Sequence, residues 1–169
     1  MNGLKLLGED DASHETVCDL IETFNFFSDL DRNEIEVLGE WVKAYSAPVG
    51  TYIFKEGSTS ASLCFIVEGD VSIFKETTPN EHMKIADIKA GGTIGEMGIV
   101  DGRPLSASAI ASTASVILMI ARSDFSNLVK KNGNLGVKLI WNIARIISMR
   151  LRQTTGLLAE ISLTQISDK

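Results

Sequence analysis

The stretch GTIGEMGIVDGRPLSAS, residues 92–108, carries the densest chemistry in the chain. Gly95 and Gly98 leave the backbone free to approach a ligand closely. From Glu96 onward the residues suit one short helical turn, whose first amides lack intrachain acceptors and sit at the positive end of the turn's dipole. A carboxylate at the same place, Glu96, repels a bare phosphate but accepts hydrogen bonds from sugar hydroxyls. Together they fit a sugar phosphate. The same residues also read as a glycine-relieved turn between two strands, and on residue chemistry alone that plainer reading is the stronger.

Outward from this stretch, residues 47–121 form a β zone. Apolar segments at Thr51–Lys55, Leu63–Glu68, Val71–Lys75, Met83–Ile88, Ser106–Ile110 and Val116–Ile120 are punctuated by Gly50, Gly57, Gly69, Gly92 and Gly102. Glu68-Gly69-Asp70 reads as a tight hairpin. Many short strands at regular spacing predict a sandwich or jelly roll, not a parallel sheet. Before this zone, residues 16–46 have helical spacing, with Val17, Leu20, Ile21 and Phe24 as one apolar set and Ile35, Leu38, Trp41 and Val42 as another. Ser28 or Asp31 can cap the second helix, and Glu34 completes a capping box with Asp31. Residues 1–15 are acidic around Glu9-Asp10-Asp11 and expected to be loose.

Residues 122–161 are helical again. Ser123 is the expected N-cap of a helix over Asp124–Lys131, which Asn132-Gly133 ends. A long helix over Leu135–Ile161 follows, with a short tail at 162–169. Ile140, Ile143, Ile147, Leu151 and Leu158 form one apolar stripe, and Val137, Trp141, Ala144 and Ser148 a second on a neighbouring face. A helix with two such faces predicts two packing partners: the domain itself and a second copy of the chain. The first stripe is the candidate seam of a homodimer. The rival is a monomer whose helix folds back on the N-terminal helices, with Phe24, Phe26 and Phe27 covering the second stripe.

Composition narrows the function. The chain has 169 residues, room for one well-buried domain, with 44% hydrophobic and 22% charged residues. A net charge of -6 disfavours a free-standing nucleic-acid binder. Cys18 and Cys64 have no CxxC spacing, and Cys64 lies in an apolar run that suits a buried free thiol. His14 and His82 are too few and too far apart for a barrel metal centre, so no metal is expected. No nucleophile-elbow, Walker or zinc-protease pattern is present, so no enzyme is expected. Without a basic and apolar leader or a long apolar run, the expected location is the cytoplasm, without membrane insertion.

Several spaced motifs carry a family resemblance. Gly95-Glu96, then Asp101-Gly102-Arg103-Pro104 and a small-residue strand, resemble the phosphate-binding cassette of cyclic-nucleotide-binding domains. PVGTYIFKEGSTSASLCFIVEGDVSIF, from Pro48, resembles the opening strands of that family, RSDF at Arg122–Phe125 its step from last strand to helix, and NFFSDLDRNEIEVL, from Asn25, its helical lead-in. The resemblance spans about Asn25 to Leu158. It implies a mainly β fold with flanking helices: an eight-stranded jelly-roll barrel, N-terminal helices and a long C-terminal helix.

The resemblance also implies site residues. Glu96 takes the ribose 2′-hydroxyl, the amides of Gly95, Met97 and Gly98 hold the cyclic phosphate, and Ser106 and Ala107 complete the cradle. The family's phosphate-pairing arginine follows the proline, where this chain has Leu105. Loss of a buried charge partner costs about 2–5 kcal/mol, roughly thirty-fold to several thousand-fold in affinity. Cyclic AMP is therefore expected to bind weakly or not at all, unless Arg103 folds back past Pro104 to compensate. Arg150-Leu151 and Thr154-Thr155 resemble the long helix of catabolite-activator-type relatives, where a hydroxyl pair meets the base, one residue from each protomer; the hydroxyls read equally well as tolerated seam residues. Lys138, Arg145, Arg150 and Arg152 read as a solvated or partner-facing surface. Only nine residues follow Glu160, too few for a helix-turn-helix, so direct DNA binding is not expected. The implied function is a stand-alone regulatory domain that senses a nucleotide-type ligand, a cyclic mono- or dinucleotide, and acts through an effector protein. The alternatives are a ligand-free interaction module and a cyclic di-GMP receptor.

Overall fold

A computed structural model describes residues 3–7, 13–78 and 81–167. The glycine-punctuated zone folds as expected into short antiparallel strands: β1 (Lys5–Leu6), β2 (Lys43–Ala47), β3 (Tyr52–Phe54), β4 (Ser62–Glu68), β5 (Asp70–Thr78), β6 (Glu81–Lys89), β7 (Thr93–Ile94), β8 (Ser108–Ala111) and β9 (Ser115–Ala121). They form two sheets, ordered β1-β2-β9-β4-β7 and β3-β8-β5-β6. This is the jelly roll of the expected fold class, with nine strands among the described residues instead of eight. The additional pairing is β1 on β2, Lys5 opposite Ser46 and Leu6 opposite Tyr45, so part of the expected loose N-terminus is tied to a sheet edge. The acidic Glu9-Asp10-Asp11 run lies outside the described residues.

β4 and β9 hold the molecule together because both of their faces are buried. Cys64 and Ile66 of β4, with Ile117 and Met119 of β9, point into the core between the sheets, beside Ile53, Phe54, Val71 and Ala109. Leu63 and Phe65, with Leu118 and Ile120, point the other way, into a second core shared with the helices. Successive strand side chains alternate between faces, so two covered faces require a continuous apolar run. The sequence has such runs at both places.

The helices form the second core. α1 (His14–Glu22) is capped by Ser13. A 3-10 turn, Asn25–Phe27, sets Phe27 against Phe65 with ring centroids 4.7 Å apart. α2 (Arg32–Gly39) starts on the expected capping box, with Asp31 and Glu34 exchanging bonds of 2.9 Å. It ends at Gly39, so Trp41 and Val42 lie beyond the helix, and Lys43 opens β2.

α3 (Glu96–Asp101) lies in the connection from β7 to β8. α4 (Arg122–Lys131) begins directly off β9 with Ala121 as N-cap, which corrects the expectation of Ser123: the chain turns into the helix one residue after the strand, and Ser123 is already inside it. Asn132 breaks the helix as expected, but Gly133 is the first residue of α5 (Gly133–Ser167), 35 residues long.

α5 docks through one face only. Leu135, Leu139 and Ile143 are buried in the helical core, and Ile147 packs against it. Asn142, 3% exposed, donates through Nδ2 to the Phe26 carbonyl and to Asp29 Oδ1, both at 2.8 Å. Lys138 donates to Glu34 Oε2 at 2.7 Å. The helix therefore folds back on the lead-in, and the expected seam is corrected at two positions: Ile143 is buried and Ile147 packs against the chain's own core, while Ile140, Leu151 and Leu158 are exposed. The second stripe, Val137, Trp141, Ala144 and Ser148, is exposed throughout and runs on into Leu151 and Leu158 of the first. Val137, Trp141, Ala144, Ser148, Leu151, Thr155 and Leu158 are all exposed, at alternating steps of four and three. That is the heptad spacing of a coiled-coil seam. Every residue from Leu151 to Glu160 is exposed.

Candidate ligand-binding site

The site is built on α3 and the residues on either side of it. Gly95 has φ +88°, and a Cβ there would lie 2.0 Å from the Ser62 carbonyl oxygen, so only glycine lets β7 turn into α3 against β4. A Cβ on Gly98 would lie 2.9 Å from Ala61 Cβ and 3.3 Å from Leu105 Cδ2. The missing side chains thus let the cassette pack onto β4 and Leu105, where the sequence reading had given the freed space to a ligand.

Glu96 is the only charged side chain in the buried set of the described residues, at 3% exposure. Its Oε1 accepts a hydrogen bond from Arg150, which also donates to the Thr93 carbonyl. Its Oε2 is buried and has no partner among the described residues. A buried carboxylate oxygen without a donor is costly, and such exceptions mark sites where something else supplies the bond. Arg150 reaches this site from α5, 54 positions along the chain, which corrects its reading as a surface cation. The signal available in the sequence was its place beside Leu151 and Thr154-Thr155 in the resembling stretch of the long helix.

Leu105 is 8% exposed and joins the core between the sheets. Its backbone is fixed on both sides: its N–H donates to the Ser58 carbonyl and its carbonyl accepts from Gly57, each at 2.8 Å. It also walls a cleft of about 320 Å³ lined by β3, Lys55 and the loop at Ser58 and Ser60. Arg103 stays exposed, its backbone N–H bonded to Asp101 Oδ1 at 3.0 Å, and among the described residues its guanidinium has no hydrogen-bond partner. Met97 is 50% exposed, Ser106 exposed and Ala107 half-buried; Ser106 and Ala107 precede β8.

A brace behind the cassette was not legible in the sequence. Lys75 of β5 donates to Glu56 and, at 2.8 Å, to the Ser106 carbonyl, while the Glu56 N–H donates to Ser108 Oγ at 3.0 Å. The Glu76 amide and then Lys75 hold the Glu56 carboxyl below its usual range. Arg122 braces the far end of α3, donating to the Ile99 carbonyl at 3.3 Å and lying against Gly102. Thr154 and Thr155 are exposed on α5 and donate to the carbonyls of Arg150 and Leu151, at 2.9 and 2.8 Å. Cys18 and Cys64 are free and buried, and burial pushes both thiols up.

The profile of the cyclic nucleotide-binding domain matches residues 46–132, just over half of the chain. The chain belongs to the cyclic nucleotide-binding domain family. It is 28% identical to a cyclic nucleotide-binding domain from Methylobacillus flagellatus of known crystal structure, with a TM-score of 0.78 over 93% of this chain and 88% of that one. It is 26% identical over 128 residues to the cyclic AMP receptor protein of Thermus thermophilus, matching 75% of this chain and 57% of that protein. It is 32% identical over 87 residues to a cyclic nucleotide-gated potassium channel of Mesorhizobium japonicum, matching 52% of this chain and 22% of the channel. The chain thus spans little more than half the length of the first of these curated relatives and about a fifth of the second. No described helix is long and apolar enough to cross a membrane.

In this cyclic nucleotide-binding domain Glu96, at the start of α3, is buried, and Leu105 is packed in the core between the sheets. Two of its nearby cations are held by carboxylates: Arg150 by Glu96 and Lys75 by Glu56.

Proposed function

We propose that this domain is a regulatory, non-catalytic sensor in the cytoplasm, whose cassette takes the sugar of a nucleotide-type ligand at Glu96 and transmits occupancy through α5. The observation that carries this reading is the half-satisfied carboxylate of Glu96, with Oε1 on Arg150 of α5 and the buried Oε2 without a partner among the described residues. A ligand hydroxyl that donates to Oε2 weakens the hold of Glu96 on Arg150, because the carboxylate's charge is then shared between two donors. Arg150 precedes Leu151 of the exposed heptad stripe, so a change in the pocket reaches the seam within one residue.

The stripe Val137–Trp141–Ala144–Ser148–Leu151–Thr155–Leu158 pairs with the same stripe of a second copy, in a two-fold arrangement that an effector protein reads. Heptad spacing favours a like helix as the occupant, since an isolated surface helix needs no 3.5-residue repeat. In such a pair Thr154 and Thr155 lie at or beside the seam. Cyclic AMP is a poor ligand, because Leu105 offers its phosphate no charge.

Hydrogen exchange tests the coupling, with adenosine and cyclic AMP at millimolar concentration as probes. The expected result is altered exchange in α3 together with residues 147–155 of α5. A probe that protects α3 and leaves α5 unchanged contradicts the transmission.

A further inference from the structure

We infer that the cleft at Lys55 is a binding site in its own right, for a small organic monoanion with an apolar body, such as a short-chain carboxylate. It is separate from the sugar site at Glu96 and does not depend on it. The residues that line the cleft include neither Glu96 nor any other acid.

The walls supply the apolar half. The cleft holds about 320 Å³, at the lower end of the range of about 300–1,000 Å³ usual for small-molecule sites, so its occupant is small. Tyr52 and Phe54 of β3 line it together with Leu105, and Phe54 and Leu105 are buried. Two backbone bonds of 2.8 Å lace these segments together, from the Leu105 N–H to the Ser58 carbonyl and from the Gly57 N–H to the Leu105 carbonyl. The walls are therefore fixed before a ligand arrives, which lowers the ordering cost of binding.

The rim supplies the charge. Lys55 is exposed, and its Nζ stands 5.1 Å from the centroid of the Tyr52 ring. A ring face steadies an ammonium group without neutralising it. Lys75, Lys84 and Lys138 are each bound to a carboxylate, of Glu56, Asp87 and Glu34 in turn, whereas Lys55 has no carboxylate partner among the described residues. The acid next to it in sequence, Glu56, is taken by Lys75 and by the Glu76 amide. Ser58 Oγ accepts from the Ser60 N–H at 3.3 Å and keeps its own proton to donate, and the Ser60 hydroxyl is exposed beside it. One ammonium and two hydroxyls match a single negative charge. A phosphate dianion would lose water against the same apolar walls without a second cation to offset the loss. A carboxylate at Lys55, with its hydrocarbon body along Phe54 and Leu105, uses both halves of the cleft.

Shift mapping by NMR on the isotope-labelled full chain tests this, with hexanoate, 1-hexanol and inorganic phosphate at millimolar concentration as the probes. Hexanoate is expected to give saturable amide shifts within residues 52–60 and at Leu105, and the other two probes to bind about fivefold or more weakly. Lys55→Gln should weaken hexanoate binding by a similar factor and Lys55→Arg should retain it. Lys55 is exposed, so neither change bears on folding. Equal binding of 1-hexanol, or hexanoate binding that Lys55→Gln leaves unchanged, overturns the recognition of charge and with it the inference. Phosphate bound as tightly as hexanoate overturns the assignment of an apolar body. Hexanoate shifts confined to α5, or no saturable shift within residues 52–60, overturn the site.

Discussion

Replacing Arg150 with Met isolates the link between the pocket and the long helix. The Glu96 side chain is 4% exposed and that of Arg150 37%. Removing one partner of a fully buried ion pair costs about 3–5 kcal/mol, whereas an exposed pair contributes about 0–1 kcal/mol. This pair is buried on one side only. Water can reach the space vacated by the guanidinium, so the expected loss is about 2 kcal/mol, between the two limits. Part of it reflects Glu96 left with neither oxygen bonded, since Oε2 already lacks a partner. Glu96→Gln removes that charge, so the double variant should be less destabilised than the sum of the single ones, by about 1–2 kcal/mol. Urea unfolding of all four proteins, at one protein concentration because pairing of chains adds to stability, gives the cycle. A coupling within about 0.3 kcal/mol of zero would refute the claim that Glu96 and Arg150 form a connected pair.

Two further predictions concern the seam and the cassette. Leu151→Asp and Trp141→Asp should give folded chains of half the wild-type particle mass by light scattering, whereas Ile143→Asp, at 0% exposure, should damage folding itself; wild-type mass equal to one chain would rule out the pairing. Gly95→Ala should destabilise by about 3 kcal/mol or more, because both the positive φ and the Ser62 carbonyl oppose a Cβ, and a change under about 1 kcal/mol in thermal or urea unfolding would show that the cassette does not depend on that approach.

Most of the fold is legible in the sequence because glycine punctuation and strand length are local properties. The continuous apolar runs in β4 and β9 mark strands buried on both faces, and the structure assigns their alternate residues to two cores. The capping box at Asp31 and Glu34 is equally local. β1 was not legible, because a two-residue strand displays no period and owes its existence to the edge of β2. Ser123 is a good capping residue in isolation, but the strand-to-helix step is set by β9, which delivers the chain at Ala121.

The site divides in the same way. Glu96 and Leu105 could be singled out because residues 92–108 are contiguous. Arg150 could not, because its role depends on how far α5 runs across the domain before its guanidinium meets α3. The two stripes of α5 were both visible, but which faces inward is decided by the lead-in, through Asn142 on Phe26 and Asp29 and through Leu139 and Ile143 in the core. A helix of 3.6 residues per turn carries both a core face and a 3.5-residue seam over this length, and the sequence pattern alone does not rank them.

Calorimetric titration with cyclic AMP tests most directly whether Leu105 has changed what the cassette accepts. The wild-type chain is expected to bind it weakly or not at all, and Leu105→Arg to bind it at least tenfold more tightly, a gain of about 1.4 kcal/mol or more. Low-micromolar binding of cyclic AMP by the wild-type chain would contradict this reading of the site.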